Sequence, residues 1–334
     1  MFNLPLTTVT TLFSLSQLAS AYPTTKDIIL PRDVTNSSKA GLAGGWGDAE
    51  RFAEGEKISW YYTWSPFPNP EASAAGLEFV PMLWGQKHVE DWANIDQIIA
   101  DNNVTTVLGM NEPEYTGQAN MTPAEGAAMW IEFIEPLKER GIRLGSVATT
   151  SGGLGKNWTR DWLAECDGRC NPDFMVMHTY NVNASRFIVE VEELYATYQK
   201  PIWVTEWACH DHIEDKPQCS MDDMIVYMNV TQQFLDETEY VERYAWFGVP
   251  SIINPDAATY DENSGEVTPL GEQFMGERNE SLPVDGNADG NVTGSITPGT
   301  TAGGGGNGGG NGVSATWIPS IGYLGALAIL PLLC

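Results

Sequence analysis

Eight short apolar runs recur along the chain, at 39–46, 57–64, 77–84, 105–111, 143–150, 174–180, 201–207 and 243–248, with helix-like stretches between them. Runs such as FMVMHTY (174–180) and PIWVTEW (201–207) are nearly continuous rather than alternating. That is the pattern of parallel strands covered on both faces. One interval carries its own helix signals: Thr122 and Glu125 have capping-box spacing, Pro123 sits at the first helical position, and AAMWIEFIEPLKER follows up to Gly141. Eight strand–helix units within 39–278, about 240 residues, predict a single α/β domain, a (β/α)₈ barrel. A doubly wound open sheet is the second choice, but no glycine-rich phosphate-binding turn follows the first run.

In such a barrel the site is built at the C-terminal strand ends. The residues closing the runs are Asn111-Glu112-Pro113-Glu114, His178-Thr179-Tyr180, Glu206-Trp207 and Trp246-Phe247-Gly248. Two carboxylates at one barrel mouth suit glycoside cleavage, where one carboxyl protonates the leaving oxygen and another meets the oxocarbenium-like centre. A glutamate inside an apolar strand, as Glu206 is, is costly unless hydrogen bonds or function hold it. Glu114, beyond Pro113, is a rival acid expected at the loop surface. His178 either lines a cleft or satisfies a buried hydrogen bond. Cys209-His210-Asp211-His212 superficially resembles a metal cluster, but a disulfide would remove Cys209, and no metal or cofactor is expected.

Charge narrows the partner. Against 17 Lys and Arg stand 44 Asp and Glu, a net charge of −27, which repels nucleic acid and favours a neutral substrate. The two ends suggest secretion. Residues 1–21 read as a signal peptide ending in Ala19-Ser20-Ala21, and 22–38 as a surface lead. Residues 279–312 are a Gly-, Ser-, Thr- and Asn-rich stalk, and 313–334 an apolar tail typical of a glycosylphosphatidylinositol signal. Attachment is expected near Asn307, with Gly308 and Asn311 as neighbouring choices. Sequons at Asn36, Asn103, Asn120, Asn157, Asn183, Asn229, Asn279 and Asn291 agree. With Cys334 lost in the tail, Cys166, Cys170, Cys209 and Cys219 form an even set. Short-range bridges 166–170 and 209–219 are plausible beside the two other connectivities. The product would be a monomer held at the outer membrane face or the cell wall.

The words SWYYTWSPFP (59–68), FVPMLWG (79–85), LGMNEPE (108–114), MVMHTYN (175–181), WVTEWAC (203–209) and YAWFG (244–248) resemble glycoside hydrolase family 128, which includes fungal β-1,3-glucanases, within the clan of retaining (β/α)₈ glycosidases. The resemblance spans roughly 39–276. It implies Glu112 as acid/base with a raised pKa, Glu206 as nucleophile, and Asn111 as the side chain holding the sugar 2-hydroxyl. It also implies that Tyr180 donates to Glu206 and keeps it ionised. Tyr62, Trp64, Trp84, Trp207 and Trp246 would offer flat faces to pyranose rings, or else simply pack the core. The function expected is endo-acting, retaining cleavage of β-1,3-glucan during wall remodelling. The alternative is a β-glucan-binding surface protein of the same fold with little turnover.

Overall fold

Each of the eight apolar runs contains a strand in the computed structural model, which describes residues 38–44, 49–55, 57–212, 218–248, 257–261 and 263–277. The strands are β1 (Ala40–Ala43), β2 (Ile58–Tyr62), β3 (Glu78–Phe79), β4 (Thr106–Val107), β5 (Arg143–Thr150), β6 (Phe174–Tyr180), β7 (Ile202–Ala208) and β8 (Val241–Trp246). The expected signal peptide, the surface lead up to residue 37, the stalk, the tail and Asn307 lie outside the described residues, as does Trp46.

The strands pair in parallel in the order β3-β2-β1-β8-β7-β6-β5-β4. The ring closes where Met82 bridges Leu108 in parallel, with Leu108 N–H donating to Pro81 (2.9 Å) and Leu83 N–H to Leu108 (3.1 Å). A closed ring excludes the open doubly wound sheet and leaves a (β/α)₈ barrel. β3 and β4 are shorter than their apolar runs. Pro81 supplies no N–H, so the ladder there falls to isolated bridges. β1 stops at Gly44, whose φ of 98° leaves the strand region.

The helix begun by Thr122 has both halves of its capping box and Pro at its first turn. It is α-helical only over Pro123–Met129, then widens to a π segment at Trp130–Ile134 and tightens to 3₁₀ at Glu135–Arg140. Pro136 cannot donate to the preceding turn, which accounts for the irregularity. Gly141, with φ of 78°, ends it.

Side chains inside the ring form one cluster, including Trp60, Val80, Phe174, Val176, Trp203 and Ala245, separate from the larger cluster between sheet and helices. β1 passes the Trp60 indole so closely that a Cβ on Gly41 would lie 2.3 Å from it. The N-terminal floor is filled with paired charge and aromatics. Phe174 stacks on Trp203 with centroids 4.2 Å apart, and the Arg243 guanidinium lies 4.7 Å above the Trp203 ring. Arg243 pairs with Glu78, while Glu242 accepts from Arg143 (2.8 Å) and from the Trp203 indole (3.0 Å).

Both short-range disulfides, Cys166–Cys170 and Cys209–Cys219, are present, which excludes the other two connectivities. Of the sequons described, Asn229 is buried within the helix Met221–Glu237, so the folded protein offers no acceptor there; Asn103, Asn120 and Asn157 are exposed.

Candidate active site

β6 supplies two site residues by plain strand alternation. Phe174, Val176, His178 and Tyr180 point into the ring, while Met175 and Met177 pack outward under the helices and Thr179 bonds to Glu190. β7 departs from that rule. Met177 pairs with Val204 but His178 with Glu206; Val204 pairs with Tyr244 but Trp207 with Trp246. β7 therefore carries one extra residue against both neighbours, a β-bulge at Thr205-Glu206. The bulge turns Glu206 inward beside Thr205, and the next residue, Trp207, points out.

From β4 the chain runs to Asn111, which bridges Ala148 on β5, and then to Glu112, whose N–H donates to the Ala148 carbonyl at 2.7 Å. Glu112 has φ of 41°, and Trp64, beyond the end of β2, has φ of 53°. Left-handed geometry at a large non-glycine residue is uncommon and concentrates at functional sites.

These turns bring the two carboxylates together. One oxygen of Glu112, one of Glu206 and a ring nitrogen of His178 all lie within 4.8 Å of one another. His178 is fully buried; its Nδ1 is 2.8 Å from Glu112 Oε1 and 3.4 Å from Glu206 Oε2, and its Nε2 is 3.0 Å from Thr205 Oγ1. His178 thus both lines the site and satisfies buried partners. Tyr180 donates its hydroxyl to Glu206, and the Trp64 indole N–H donates to the same carboxylate at 2.7 Å. Tyr62 donates to the Thr205 carbonyl (3.0 Å) and lies 3.4 Å from Glu206. Asn111 is buried, donates to Gln118 at 3.1 Å, and leaves its amide oxygen without a partner. A buried acceptor of that kind suits a ligand hydroxyl.

Burial raises the Glu206 pKa; His178 and the donors from Tyr180 and Trp64 oppose it, while Glu112 adds to it, and the net direction is up. Tyr180 thus donates to Glu206 as expected and favours its ionised form, but burial outweighs that donor. Burial by itself would lower the pKa of His178, but Glu206 and Glu112 outweigh it and raise it. Tyr180 and Tyr62 are both pushed well above the ordinary tyrosine value by burial first and then by the carboxylates.

Several sequence expectations need correction. Trp207 is fully buried against Phe187, Tyr227, Tyr244 and Trp246 on the outer side of the sheet, and offers no face to a sugar. Trp246 is buried beside it and donates its indole N–H to Ala257 (2.9 Å). The residue that turns toward the mouth is Phe247, immediately after β8, edge-on to both Trp64 and Tyr180 with centroids 5.7 Å away. Alternation from Arg243 would have found it. Tyr62 is wholly buried, so it acts through its hydroxyl. Trp84 is half-buried and carries the Lys87 ammonium 3.4 Å above its ring, so one face is taken. Glu114 is not at the loop surface: Thr150 donates to it from its backbone N–H (2.7 Å) and its hydroxyl (2.9 Å), and its other oxygen is buried. Thr205 and Gln118 carried no sequence signal. Their roles depend on the bulge and on the turn after Glu112.

The Glu112, His178 and Glu206 atoms are close enough to hold a cation. The donors from Tyr180, Trp64 and His178 already point at those carboxylate oxygens, however, and a metal would have to displace them. In the loop after β7, His210 and His212 pack edge to face, and His212 lies edge-on to Tyr180 with centroids 4.5 Å apart. Cys209 is withdrawn from any ligand set there by its disulfide.

Comparison with known proteins agrees with this geometry. The family model described as glycosyl hydrolase catalytic core matches residues 41–274. A subgroup III family 128 curdlan-specific exo-β-1,3-glucanase from Blastomyces gilchristii, solved with glucose, is 30% identical, covering 72% of this chain and 99% of that one, with a TM-score of 0.61. A mutant of a subgroup I endo-β-1,3-glucanase from Amycolatopsis mediterranei, solved with laminaripentaose, is 26% identical over 72% of this chain and 99% of that one, also with a TM-score of 0.61. Among curated proteins, alkali-sensitive linkage protein 1 of Schizosaccharomyces pombe is 28% identical over 251 residues, which is 72% of this chain but 44% of that protein. The chain therefore spans less than half of that relative. With its barrel, its paired glutamates and a family model matched over nearly all of the described residues, the chain belongs to the glycosyl hydrolase catalytic core family and, within it, to glycoside hydrolase family 128.

Proposed function

We propose that this protein hydrolyses β-1,3-glucan with retention of configuration, Glu206 acting as nucleophile and Glu112 as acid/base. The observation that carries the reading is the closeness of the two carboxylates, with oxygens within 4.8 Å. Retaining pairs lie about 5–5.5 Å apart, whereas inverting pairs are separated by roughly 6.5–9.5 Å to admit a water. Three side chains, Tyr180, Trp64 and Tyr62, direct hydroxyl or indole hydrogens at or near Glu206, and among the described side chains His178 alone hydrogen-bonds Glu112. Those donors stabilise negative charge on Glu206 against its burial, which suits it to the nucleophile's part.

In the first step Glu206 attacks the anomeric carbon while Glu112 protonates the departing glycosidic oxygen. A glycosyl-enzyme forms and the leaving chain departs. In the second step Glu112 takes a proton from water, which attacks from the face the leaving chain vacated and displaces Glu206. Asn111, through its unpartnered oxygen, would accept a hydrogen bond from a sugar hydroxyl.

Internal attack is proposed with this mechanism, and a product ladder decides it, since the solved relatives include both exo- and endo-acting enzymes. Glu206→Ala and Glu112→Ala proteins assayed on laminarin-type glucan should each lose nearly all turnover, and NMR of the first product should give the β-anomer. Turnover equal to the parent in either variant, or an α-anomer appearing first, would sink the proposal.

We further infer secretion and anchoring through residues 1–21 and 313–334 with attachment near Asn307, and a role in the cell wall. The two disulfides support an oxidising compartment. A second reading, a wall protein that binds β-glucan with little turnover, draws on the fission-yeast relative's description as a linkage protein. Product release followed over hours beside calorimetry with laminari-oligosaccharides separates the two.

A further inference from the structure

Glu112 occupies a backbone state that its own sequence disfavours. Its φ is 41°, which costs a non-glycine residue roughly 1–2 kcal/mol, and it precedes Pro113, which biases it toward extended geometry. The surrounding turn over-determines that state. Glu112 N–H donates to Ala148 (2.7 Å), Tyr115 N–H returns to the Glu112 carbonyl (3.1 Å), and Ala119 N–H reaches the Asn111 carbonyl (3.1 Å). One side chain joins this turn to β5: Glu114 Oε1 takes both the N–H (2.7 Å) and the hydroxyl (2.9 Å) of Thr150, the last residue of that strand.

We propose that Glu114 is a positioning residue that clamps the Asn111–Tyr115 turn to the end of β5 and so holds the Glu112 carboxyl against His178 and opposite Glu206. The role rests on Glu112 being the acid/base. Without the clamp, the strain at Glu112 favours relaxation toward extended backbone, which carries the carboxyl away from Nδ1 of His178. What the clamp needs is an acceptor at Oε1, not a charge. Burial raises the Glu114 pKa against the lowering by the Thr150 bonds, and Oε2 is buried without a partner. A neutral amide of the same shape therefore keeps the clamp.

The test compares the parent with Glu114→Ala, Glu114→Gln, Thr150→Val and, as reference, Glu112→Gln. Steady-state turnover is measured on a soluble β-1,3-glucan, and imidazole resonances are recorded by ¹H–¹⁵N NMR, which is tractable because the chain has four histidines. Glu114→Ala should lower kcat roughly 10- to 100-fold with little change in KM, the scale of a misplacement near 1 Å. Glu114→Gln should stay within about threefold of the parent, and Thr150→Val, which loses one of the two bonds, should fall between.

The buried His178 resonance should move in Glu114→Ala in the same sense as in Glu112→Gln, and stay in place in Glu114→Gln. A Glu114→Ala protein with parental kcat or an unmoved His178 resonance overturns the proposal. So does a Glu114→Gln protein as impaired as Glu114→Ala, because charge would then be the requirement. Should Glu114→Ala fail to fold, Thr150→Val carries the same test. A parent inactive on every β-glucan would refute the glycosidase reading, while the His178 resonance would still report on the clamp.

Discussion

The two ends of this barrel use the same residue types to opposite effect. At the floor, Glu78 and Glu242 each face an arginine, and those guanidinium groups lie over Trp60, Trp203 and Phe174. At the mouth, Glu112 and Glu206 meet no arginine among the described residues; they share one imidazole and stand close enough to repel each other. A carboxylate matched with a cation is committed to an ion pair, whereas two carboxylates around one histidine keep a proton in play. The paired floor stabilises the ring, and the underpaired mouth is where chemistry is possible.

The sharpest way to break the contrast is to remove charge from the mouth. Glu206→Gln should lower kcat on β-1,3-glucan on the order of 10³- to 10⁴-fold while leaving the circular dichroism spectrum unchanged. His178→Ala should follow with a loss on the order of 10²-fold, because Glu112 loses the imidazole that contacts it, and its pH–rate profile should shift. At the floor the expectation reverses. Arg243→Met keeps the apolar stem over the aromatics but leaves Glu78 without its guanidinium, so calorimetry should register a loss of about 2 kcal/mol with kcat unchanged. A floor variant that lost activity without losing stability would dissolve the distinction.

The smallest effect is in the pH dependence of stability. Glu206 is raised above the ordinary 4.5 and His178 above the ordinary 6.5. The folded state thus binds more protons than the unfolded one from pH 4.5 upward for Glu206 and from 6.5 upward for His178. Stability contributed by these groups is present at lower pH and lost as pH rises through their folded values. The melting temperature should therefore decline across that range, and Glu206→Gln should flatten the acidic part of the decline. No flattening would show that Glu206 is not the group responsible.

The mouth and floor were unequally legible before folding was known. β6 alternates without interruption, so FMVMHTY places His178 and Tyr180 on one face by counting in twos. β7 reads PIWVTEW, and the same count puts Trp203, Thr205 and Trp207 together and Glu206 on the other side. The observed bulge reverses Glu206 and Trp207, so Trp207, which the resemblance placed at a sugar site, packs the outer layer, and so does Trp246, which plain alternation along β8 already turns outward. Glu114 was misplaced for a related reason: Pro113 suggested a loop leaving the barrel, whereas the turn at Glu112 sends the next carboxylate back to Thr150.

Sequence alone determined the rhythm of eight strand–helix units, the capped helix at Thr122, the short-range cysteine spacing and the glutamates that end two apolar runs. Each of these is written in local periodicity or in residues a few positions apart. Only the tertiary structure decided which face of β7 carries Glu206, that His178 stands between the two glutamates, and that Trp64 and Tyr180 aim their hydrogens at one carboxylate. Those outcomes depend on where neighbouring strands take up an extra residue and on a left-handed turn held by a partner strand, and such register choices are settled between strands far apart in the chain.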